Sequence, residues 1–322
     1  MPNFRNLNFL IKTHSERETM KIGVIGYGNM GSMIVNNILK LNLLLDDEEL
    51  IVSNRHLNKF ESLIEEYPEE NLNITSDNEE VAKQCDKILI SVETPQFKEV
   101  LDEITPFINE KTHIIYNCAG LNFNHIKRFF DGKLTLVIPT LASTVTSNNS
   151  ISSLSRRKGV TLVKHNSKVE LQERLFVEDL FNEFSYVKKI DDPIYFNEDE
   201  DNLHPKENEL EISTILSSCG PAFVAMVIEK FAQSCSELSN ISKAEAENMI
   251  LKTVIGTSML KEDQSLSNED IINKVATKKG ITQEGVNLLD KKLNKISKDL
   301  IKNLLNRYEE VNNEMNETYL KK

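Results

Sequence analysis

Cysteine is scarce in this sequence, and the four that occur lie far apart. Cys85, Cys118, Cys219 and Cys235 form no C-x-x-C pair and show no Cys/His spacing of a metal site. This pattern argues against a disulfide framework and against a zinc site of the usual spacing, and it is typical of a reducing compartment. We therefore expect no bound metal and a cytoplasmic location.

Basic residues are outnumbered, and long apolar runs are absent. Lys and Arg number 38 against 50 Asp and Glu, which gives the 322-residue chain a net charge of -12. This charge argues against a nucleic-acid or anionic-membrane partner. No stretch could span a membrane, and residues 1–19 lack the apolar core of a secretory signal. We interpret residues 1–19 as a flexible extension or a start assigned too early.

The sequence also lacks an obvious Ser-His-Asp or paired-carboxylate arrangement. Its six histidines are isolated. His113 lies in an apparent strand, where we expect it to pack or cap rather than to act in catalysis. The absence of a nucleophile is compatible with chemistry that a bound cofactor supplies.

A glycine-punctuated turn joins an apolar strand to an apolar helix near the start of the chain. Residues 21–39 read KIGVIGYGNMGSMIVNNIL, with G-x-G-x-x-G between strand and helix. Such glycines allow a tight turn, close approach of the backbone to a pyrophosphate, and close helix packing, while the helix start attracts phosphate. The pattern predicts a dinucleotide-binding turn of Gly26, Tyr27, Gly28, Asn29, Met30 and Gly31. An ordinary strand-to-helix turn is the alternative.

The end of the second predicted strand indicates which dinucleotide binds. Residues 50–52 are followed by Ser53, Asn54 and Arg55, where NAD-binding folds place an acidic residue on the ribose 2′-hydroxyl. Here no carboxylate repels a 2′-phosphate, and a guanidinium can pair with one. The segment therefore favours NADP over NAD, unless Arg55 is only a solvated loop residue.

Strand and helix patterns alternate through the first part of the chain, and helices alone follow. Further strands are predicted at 87–92, 113–117, 134–138 and 160–163. This alternation implies right-handed crossovers and a parallel sheet. We predict an α/β protein with a Rossmann-type dinucleotide-binding domain at 20–196, an acidic linker or insertion at 197–211, and an all-α domain at 212–322.

The predicted helical domain carries an apolar helix that needs a partner. Residues 222–231, AFVAMVIEKF, are apolar almost all round. Such a helix must be buried on several faces, which in a small helical domain indicates an oligomer interface. Ser242 and Glu245 have the spacing of a capping box that opens the next helix.

Four segments together resemble the pyrroline-5-carboxylate reductase family. They are VIGYGNMG at 24–31, SSCGPAFVAMVIE at 217–229, ILKTVIGTSML at 250–260 and KKGITQEG at 278–285. The resemblance extends from Met20 to about Asp290. It implies a Rossmann domain followed by a helical dimerisation domain that interlocks two subunits, and NAD(P)H-dependent reduction of a cyclic imine to proline.

The resemblance also implies a role for Thr253, which precedes Val-Ile-Gly where the family has a threonine before Val-Leu-Gly. Its hydroxyl would lie beside the imine nitrogen. The helical stripe that it shares with Met249 and Gly256 predicts a buried position. The alternative for this hydroxyl is a hydrogen bond to the carbonyl of Met249, one turn back.

Further site residues are implied by the same resemblance. The substrate carboxylate is expected at a helix start with Thr282 as its cap. The implied substrate-binding residues are Ser217, Cys219, Gly220, Gly280, Ile281 and Thr282. The implied additional cofactor-binding residues are Val92, Pro95, Ala119 and Gly120.

Three segments depart from the family pattern. Residues 278–282 replace Pro-Gly-Gly-Thr-Thr, Thr140 stands in place of an asparagine, and Glu93 adds an anion where the family has a lysine. Residues 53–55 and 280–282 look more like the late-competence paralogues of the reductase. These departures keep a second function open.

We predict an NADP-dependent imine reductase of the pyrroline-5-carboxylate reductase type, acting as a homodimer or larger oligomer on a small-molecule imine. NAD is the less favoured cofactor. The alternative is a late-competence-type paralogue that binds NAD(P), has lost or altered catalysis, and acts in regulation. A third option is an NADP-dependent reductase with a different substrate.

Overall fold

The computed structural model describes residues 20–45, 47–68, 71–144, 158–190 and 208–320. These residues form two compact units. The first contains the described residues up to Ser218 together with those from Tyr308 onward, and the second is Cys219–Arg307. The extension at 1–19 and most of the acidic segment at 197–211 lie outside the described residues.

The first unit is organised around one eight-stranded sheet in the described chain, with the order β3-β2-β1-β4-β5-β6-β7-β8. All neighbouring strands are parallel except β6 and β7. The strands are β1 (Met20–Ile25), β2 (Glu48–Ser53), β3 (Leu72–Thr75), β4 (Lys87–Ile90), β5 (His113–Tyr116), β6 (Lys133–Pro139), β7 (Val160–His165) and β8 (Tyr186–Lys189). The predicted Rossmann-type α/β fold is confirmed.

Helices cover the sheet and form the second unit. They are α1 (Asn29–Lys40), α2 (Glu61–Glu66), α3 (Asn78–Gln84), α4 (Thr94–Ile104), α5 (Phe123–Ile126), α6 (Leu171–Asn182), α7 (Glu209–Ser217), α8 (Gly220–Leu238), α9 (Lys243–Gln264), α10 (Asn268–Val275) and α11 (Ile281–Leu320). Among the described helices, none alone is long and apolar enough to cross a membrane; α7 and α8 pass that test only as a pair.

The sheet departs from the prediction at three strands. The edge strands β3 and β8 were not predicted, because LNIT and YVKK are only four residues long and are half polar, which is too short and too polar for a clear strand pattern. The predicted parallel order is wrong at β7, which runs antiparallel to β6. The described part of the connection between them, Leu141–Ser143, is only a short 3-10 helix, and an antiparallel pair needs no crossover helix.

Both faces of the central sheet are buried. In β4, Ile88 and Ile90 pack in a cluster with residues of α3, α4 and α5, whereas Leu89 packs in a second cluster with residues of α1 and α6. Successive side chains of a strand point to opposite faces. A strand covered on both sides therefore becomes a continuous apolar run, which is why KILI was easily recognised.

The ends of the predicted helical domain belong to the first unit. Helix α7 packs against β7, and the last turns of α11 pack against α5 and the segment after it. Tyr319 is buried beside the rings of His125 and Phe129, and Arg128 Nη1 donates to its carbonyl oxygen at 2.8 Å. The first compact unit includes the chain up to Ser218, whereas the helical domain is predicted to begin at residue 212. Residues 209–211, assigned to the acidic linker, lie in α7.

The second unit is helical and exposes much of its apolar surface. Helices α8 and α9 pack on each other, and Lys243 forms an ion pair with Glu229 at 2.6 Å. The Ser242 hydroxyl accepts a hydrogen bond from the Glu245 amide at 3.2 Å, so the predicted cap is present. The apolar α8 residues Met226 and Phe231 are 56% and 51% exposed. This chain alone does not bury the apolar helix.

Candidate functional site

A cleft of about 990 Å³ opens at the carboxyl ends of β1, β2, β4 and β5. The strand order reverses between β1 and β4, and ligands of open α/β sheets bind at such a switch point. The residues of the glycine turn and of the β2 end that line the cleft are Ile25, Gly26, Tyr27, Gly28, Asn29, Met30, Ser53, Asn54 and Arg55.

The three glycines of the turn have different surroundings. Gly26 has a φ of +99°, and a Cβ there would lie 2.2 Å from the carbonyl oxygen of Ser91. A Cβ on Gly31 would lie 2.0 Å from the carbonyl oxygen of Gly26, so Gly31 packs against β1 and does not line the cleft. At Gly28, no atom of the described chain apart from the residue itself and its two chain neighbours lies within 4 Å of a Cβ position. The fold requires glycine at 26 and 31, whereas at 28 the space opens to a ligand.

Helix α1 begins at the cleft without a side-chain cap. Gly28 is its N-cap residue and makes no side-chain capping bond. The first amides of a helix have no partner within the helix and carry the positive end of its dipole. The arrangement at Asn29 and Met30 can therefore bind a phosphate through backbone N–H groups.

In the loop after β2, one polar residue supports the backbone and another is available to bind a ligand. Asn54 Oδ1 accepts from the Tyr27 amide at 3.3 Å, and Asn54 Nδ2 donates to the carbonyl of His56 at 3.0 Å. Asn54 thus braces the loop against the glycine turn. Arg55 is exposed and lines the cleft, so its guanidinium is accessible to an anion.

His56 and Lys59 also line the cleft and were not predicted. Lys59 lies in the 3-10 helix Leu57–Phe60, which follows Arg55 directly after His56. The available signal was a second cation four positions after Arg55 in the sequence. Together the two cations make this end of the cleft a suitable place for a phosphate.

The opposite wall comes from β4, α4 and β5. Its lining residues are Ser91, Val92, Glu93, Gln96, Glu99, Val100, Glu103 and Asn117, with Ser76 and Asn78 from the segment after β3. Asn117 Nδ2 donates to Ser91 Oγ at 2.9 Å and joins two strand ends. Polar residues at carboxyl ends of strands were the signal that could have identified Ser91 and Asn117.

Besides Gly31, three residues predicted to bind the cofactor are not among the described residues that line the cleft. Pro95 lies in the first turn of α4. Ala119 and Gly120 lie in the loop after β5. A Cβ on Gly120 would lie 2.8 Å from Val311 Cγ1, so this loop faces the end of α11 instead. Next to them, burial raises the pKa of the Cys118 thiol to about 12.

Thr253 lies in the second unit, and its predicted burial is wrong for this chain. The side chain is exposed, and its hydroxyl donates to the Met249 carbonyl at 2.9 Å. Helix α9 is covered mainly near Ala246, and residues 251–260 are all exposed. The stripe that Thr253 shares with Met249 and Gly256 is therefore open. The hydrogen bond expected from the helix alone is present.

The predicted carboxylate-binding turn is also in the second unit, and its helix starts two residues earlier than a Thr282 cap implies. Helix α11 begins at Ile281, so Thr282 lies within the first turn and is not the cap. Lys279 adopts a left-handed conformation with φ of 62°, and the Gly280 amide donates to the Thr277 carbonyl at 2.8 Å. Ile281 is 93% exposed.

The SSCG segment spans the boundary of the two units. Ser217 ends α7 in the first unit, and its hydroxyl donates to the Ser213 carbonyl at 2.7 Å. Cys219 and Gly220 open α8 in the second unit. Burial raises the pKa of the Cys219 thiol, so this cysteine is a poor candidate for a thiolate nucleophile.

The first unit therefore defines a dinucleotide-binding α/β protein. Two family models match the chain. One, described as NADP oxidoreductase coenzyme F420-dependent, covers residues 21–117, and the other, described as pyrroline-5-carboxylate reductase dimerisation, covers residues 207–311.

Curated relatives identify the family. A pyrroline-5-carboxylate reductase of Methanobrevibacter smithii is 38% identical over 273 residues, which are 85% of this chain and 98% of the relative. Pyrroline-5-carboxylate reductase 3 of Bacillus subtilis is 27% identical over 90% of this chain and 96% of its own length. The chain belongs to the pyrroline-5-carboxylate reductase family, as the four sequence segments predicted.

Two further relatives bear on the fold and on the alternative function. ComE operon protein 4 of Bacillus subtilis is 22% identical over 90% of this chain and 96% of its own length. The crystal structure of a Plasmodium falciparum pyrroline carboxylate reductase with NADP bound has a TM-score of 0.69 at 22% identity, covering 92% of this chain and all of that one. The fold is shared over nearly the whole length.

Proposed function

We propose that this chain is an NADPH-dependent reductase that converts pyrroline-5-carboxylate, or a closely related cyclic imine, to the corresponding amino acid. One observation carries the proposal. The chain contains a cleft built for a dinucleotide, and it is 38% identical to a protein named as this reductase, over 85% of this chain and 98% of that protein. The wider family and the cleft thus support the same reaction.

The described residues of the cleft fit an NADP molecule. The open space at Gly28 and the uncapped start of α1 suit the pyrophosphate. Arg55 and Lys59 suit a 2′-phosphate. A family model described as NADP oxidoreductase and a neighbour crystallised with NADP support the same cofactor. We assign no direct cofactor contact to Gly31, Pro95, Ala119 or Gly120, because none of them lines the described cleft.

Bound NADPH supplies the hydride that adds to the imine carbon, and a proton on the imine nitrogen completes the reduction. The protein must hold the substrate, exclude water and support the charged nitrogen. Thr253 can support the charged nitrogen as a hydrogen-bond acceptor. Because its hydroxyl hydrogen is directed at the Met249 carbonyl, its oxygen remains an acceptor. It would thus accept a hydrogen bond from the N–H of a protonated imine.

The substrate carboxylate needs donors, and the start of α11 offers backbone amides near Gly280, Ile281 and Thr282. Ser217, Cys219 and Gly220 complete the proposed substrate-binding set by family resemblance. Lys278 and Lys279 are exposed and are more simply explained as solvated charges. No step in this reaction requires a metal or a protein nucleophile.

The proposed assembly is a homodimer or larger. The half-exposed apolar residues of α8 and the match to a family model for dimerisation support it. The acidic net charge of -12 makes a nucleic acid or an anionic membrane an unsuitable partner. All four cysteines are free, and we propose a cytoplasmic location and a role in proline biosynthesis.

A second candidate is a late-competence-type paralogue that binds NAD(P) and acts in regulation. The match to ComE operon protein 4 favours it, as does Glu93, an anion that lines the cleft. Thr140, the other departure, is buried, and its hydroxyl accepts from the Ala142 amide at 3.4 Å. Because Thr140 supports a turn and does not line the cleft, it weighs little against catalysis.

The test is NADPH oxidation by the purified full chain with pyrroline-5-carboxylate and several other cyclic imines. We expect turnover with pyrroline-5-carboxylate and a lower kcat for Thr253→Ala. Thr257→Ala, one turn along the same exposed face of α9, is the matched control. Cofactor binding without turnover on any imine would support the regulatory paralogue instead.

A further inference from the structure

A chain of hydrogen bonds crosses one end of the cleft from β2 to α4. Ser53 Oγ donates to Asn78 Oδ1 at 2.7 Å, and Asn78 Nδ2 donates to Glu103 Oε2 at 2.8 Å. Ser53 is fully buried at the end of β2, whereas Glu103 is exposed near the end of α4. A buried hydroxyl thus fixes the orientation of the Asn78 amide, and this amide holds the carboxylate.

The hydrogen-bond chain lies on the adenosine side of the cleft. In dinucleotide-binding folds the ribose next to adenine lies at the end of β2, which here leads into Arg55. Asn78 begins the helix after β3, the strand beyond β2, so it lies farther from the switch point. Asn78 and Glu103 both line the cleft, together with the nearly buried apolar side chain of Val100. The donor of Asn78 and the acceptor of Glu103 suit a base that carries both kinds of group.

We propose that Glu103 recognises the 6-amino group of the adenine base and that Asn78 is its positioning residue. The inference rests on the proposed dinucleotide cofactor. The carboxylate can only accept hydrogen bonds, and the second hydrogen of Asn78 Nδ2 can only be donated. An amino group beside a ring nitrogen offers adenine's matching donor and acceptor.

The negative charge of Glu103 must be considered together with the charge of the cofactor. The cofactor carries several phosphates, and an anion nearby opposes its binding. A hydrogen bond that Glu103 accepts from the ligand would offset this repulsion. The competing explanation is that Glu103 merely supports Asn78 at the start of α3, in which case the base's substituents would not matter.

The deamino analogue of NADPH distinguishes the two explanations. In this analogue a carbonyl replaces the 6-amino group and the neighbouring ring nitrogen carries a hydrogen, so donor and acceptor are exchanged. We expect the full-length wild-type protein to bind NADPH about tenfold more tightly than deamino-NADPH, as measured by fluorescence titration. Glu103→Gln can donate to the carbonyl and should reduce this ratio to about twofold or less.

Two further variants make the test specific. Asp102→Asn removes the same charge from the adjacent exposed position, where Asp102 pairs with Lys98 at 2.8 Å, and should leave the ratio unchanged. Asn78→Ala should lower the ratio, because Glu103 loses its positioning donor. The ratio of two affinities is insensitive to a general loss of stability.

Each outcome bears on the proposal. Equal binding of the two cofactors by the wild-type protein would overturn the role of Glu103 and leave the reductase proposal intact. An unchanged ratio in Glu103→Gln would overturn it as well, as would an equal change in Asp102→Asn. If neither cofactor binds, both the cofactor assignment and this inference are wrong.

Discussion

The two units of this chain differ in how far they bury their apolar side chains. In the first unit the sheet buries side chains on both faces, and residues such as Phe97, Tyr116 and Phe181 are completely inaccessible. In the second unit, α8 and α9 leave Met226, Phe231 and other apolar residues about half exposed. The first unit completes its core within one chain, whereas the second has apolar surface that a partner must cover.

The comparison also separates two parts of the proposed reaction. Every described residue that lines the cleft belongs to the first unit, and Thr253 and the start of α11 belong to the second. We therefore expect substitutions in the first unit to change cofactor affinity. Substitutions in the second unit, or loss of its oligomer, should change turnover.

The largest expected effect is loss of the oligomer on charging the exposed apolar surface of α8. Met226→Glu places a charge where the proposed interface excludes water, and burying an unpaired charge is very unfavourable. We expect the variant to elute as a monomer in size-exclusion chromatography with light scattering, and to lose turnover. NADPH binding should persist.

Leu171→Glu is the matched control, because Leu171 is also exposed, at 66%, but lies in α6 of the first unit. Leu171→Glu should leave the oligomer mass measured by light scattering the same as in the wild-type protein. A monomeric wild-type protein, or an oligomer that survives Met226→Glu, would contradict the need for a partner at α8.

The next effect is on the core of the first unit. Phe97 is fully buried, and its ring centroid lies 5.5 Å from that of Tyr116. Phe97→Ala should lower the free energy of unfolding by about 3–5 kcal/mol, through lost burial and an unfilled cavity. Chemical denaturation followed by tyrosine fluorescence measures it.

Phe231→Ala provides the contrast, since Phe231 is 51% exposed in the second unit. It should weaken association more than it changes the unfolding of the first unit. Equal losses of stability in the two variants would show that the units do not differ as their exposures indicate.

The sequence predicted the architecture well where burial imposes a strong pattern. The continuous apolar run of β4 and the glycine turn at 26–31 follow from packing and from local backbone geometry, so they are visible in the residues themselves. The edge strands β3 and β8 carry few apolar residues and depend on pairing with a neighbour, which a local pattern does not reveal.

The candidate site was predictable only in part, for a related reason. The glycine turn and Arg55 are contiguous with strands and were found, whereas Lys59, Asn78 and Glu103 reach the cleft from three separate helical segments. Helical residues that meet through the fold have no common sequence signal. The burial predicted for Thr253 failed because the helical stripe correctly indicated an apolar face but not whether this chain covers it.

A smaller effect should appear in the pH dependence of the first unit. His113 is buried at the start of β5, and its Nε2 is 2.7 Å from Thr135 Oγ1. Burial, with the nearby charges of Lys87, His165 and Lys133, lowers the pKa of His113 to about 3. Between pH 3 and 6.5 the unfolded chain binds a proton that the folded chain does not, so stability falls as the pH falls.

From this site alone, acidification from pH 7 to pH 5 should cost about 2 kcal/mol of unfolding free energy. His113→Gln can still bond to Thr135 but does not titrate, so the variant should lose less stability over the same interval. His56→Gln, an exposed histidine of the same unit, should retain the wild-type pH dependence. Parallel pH profiles for wild type and His113→Gln would contradict the assignment.

The smallest effects concern cofactor choice and sharpen the division between binding and turnover. Arg55→Gln should weaken NADPH binding about tenfold and NADH binding by less than about twofold, because only NADPH carries the 2′-phosphate. Lys59→Gln should act in the same direction but by about threefold, since an exposed ammonium makes a weaker, more screened pair. Thr253→Ala, in the second unit, should leave both affinities unchanged while kcat falls. If Arg55→Gln weakened both cofactors equally, Arg55 would contact a phosphate that NADH shares, and the preference for NADP would have to come from elsewhere in the cleft.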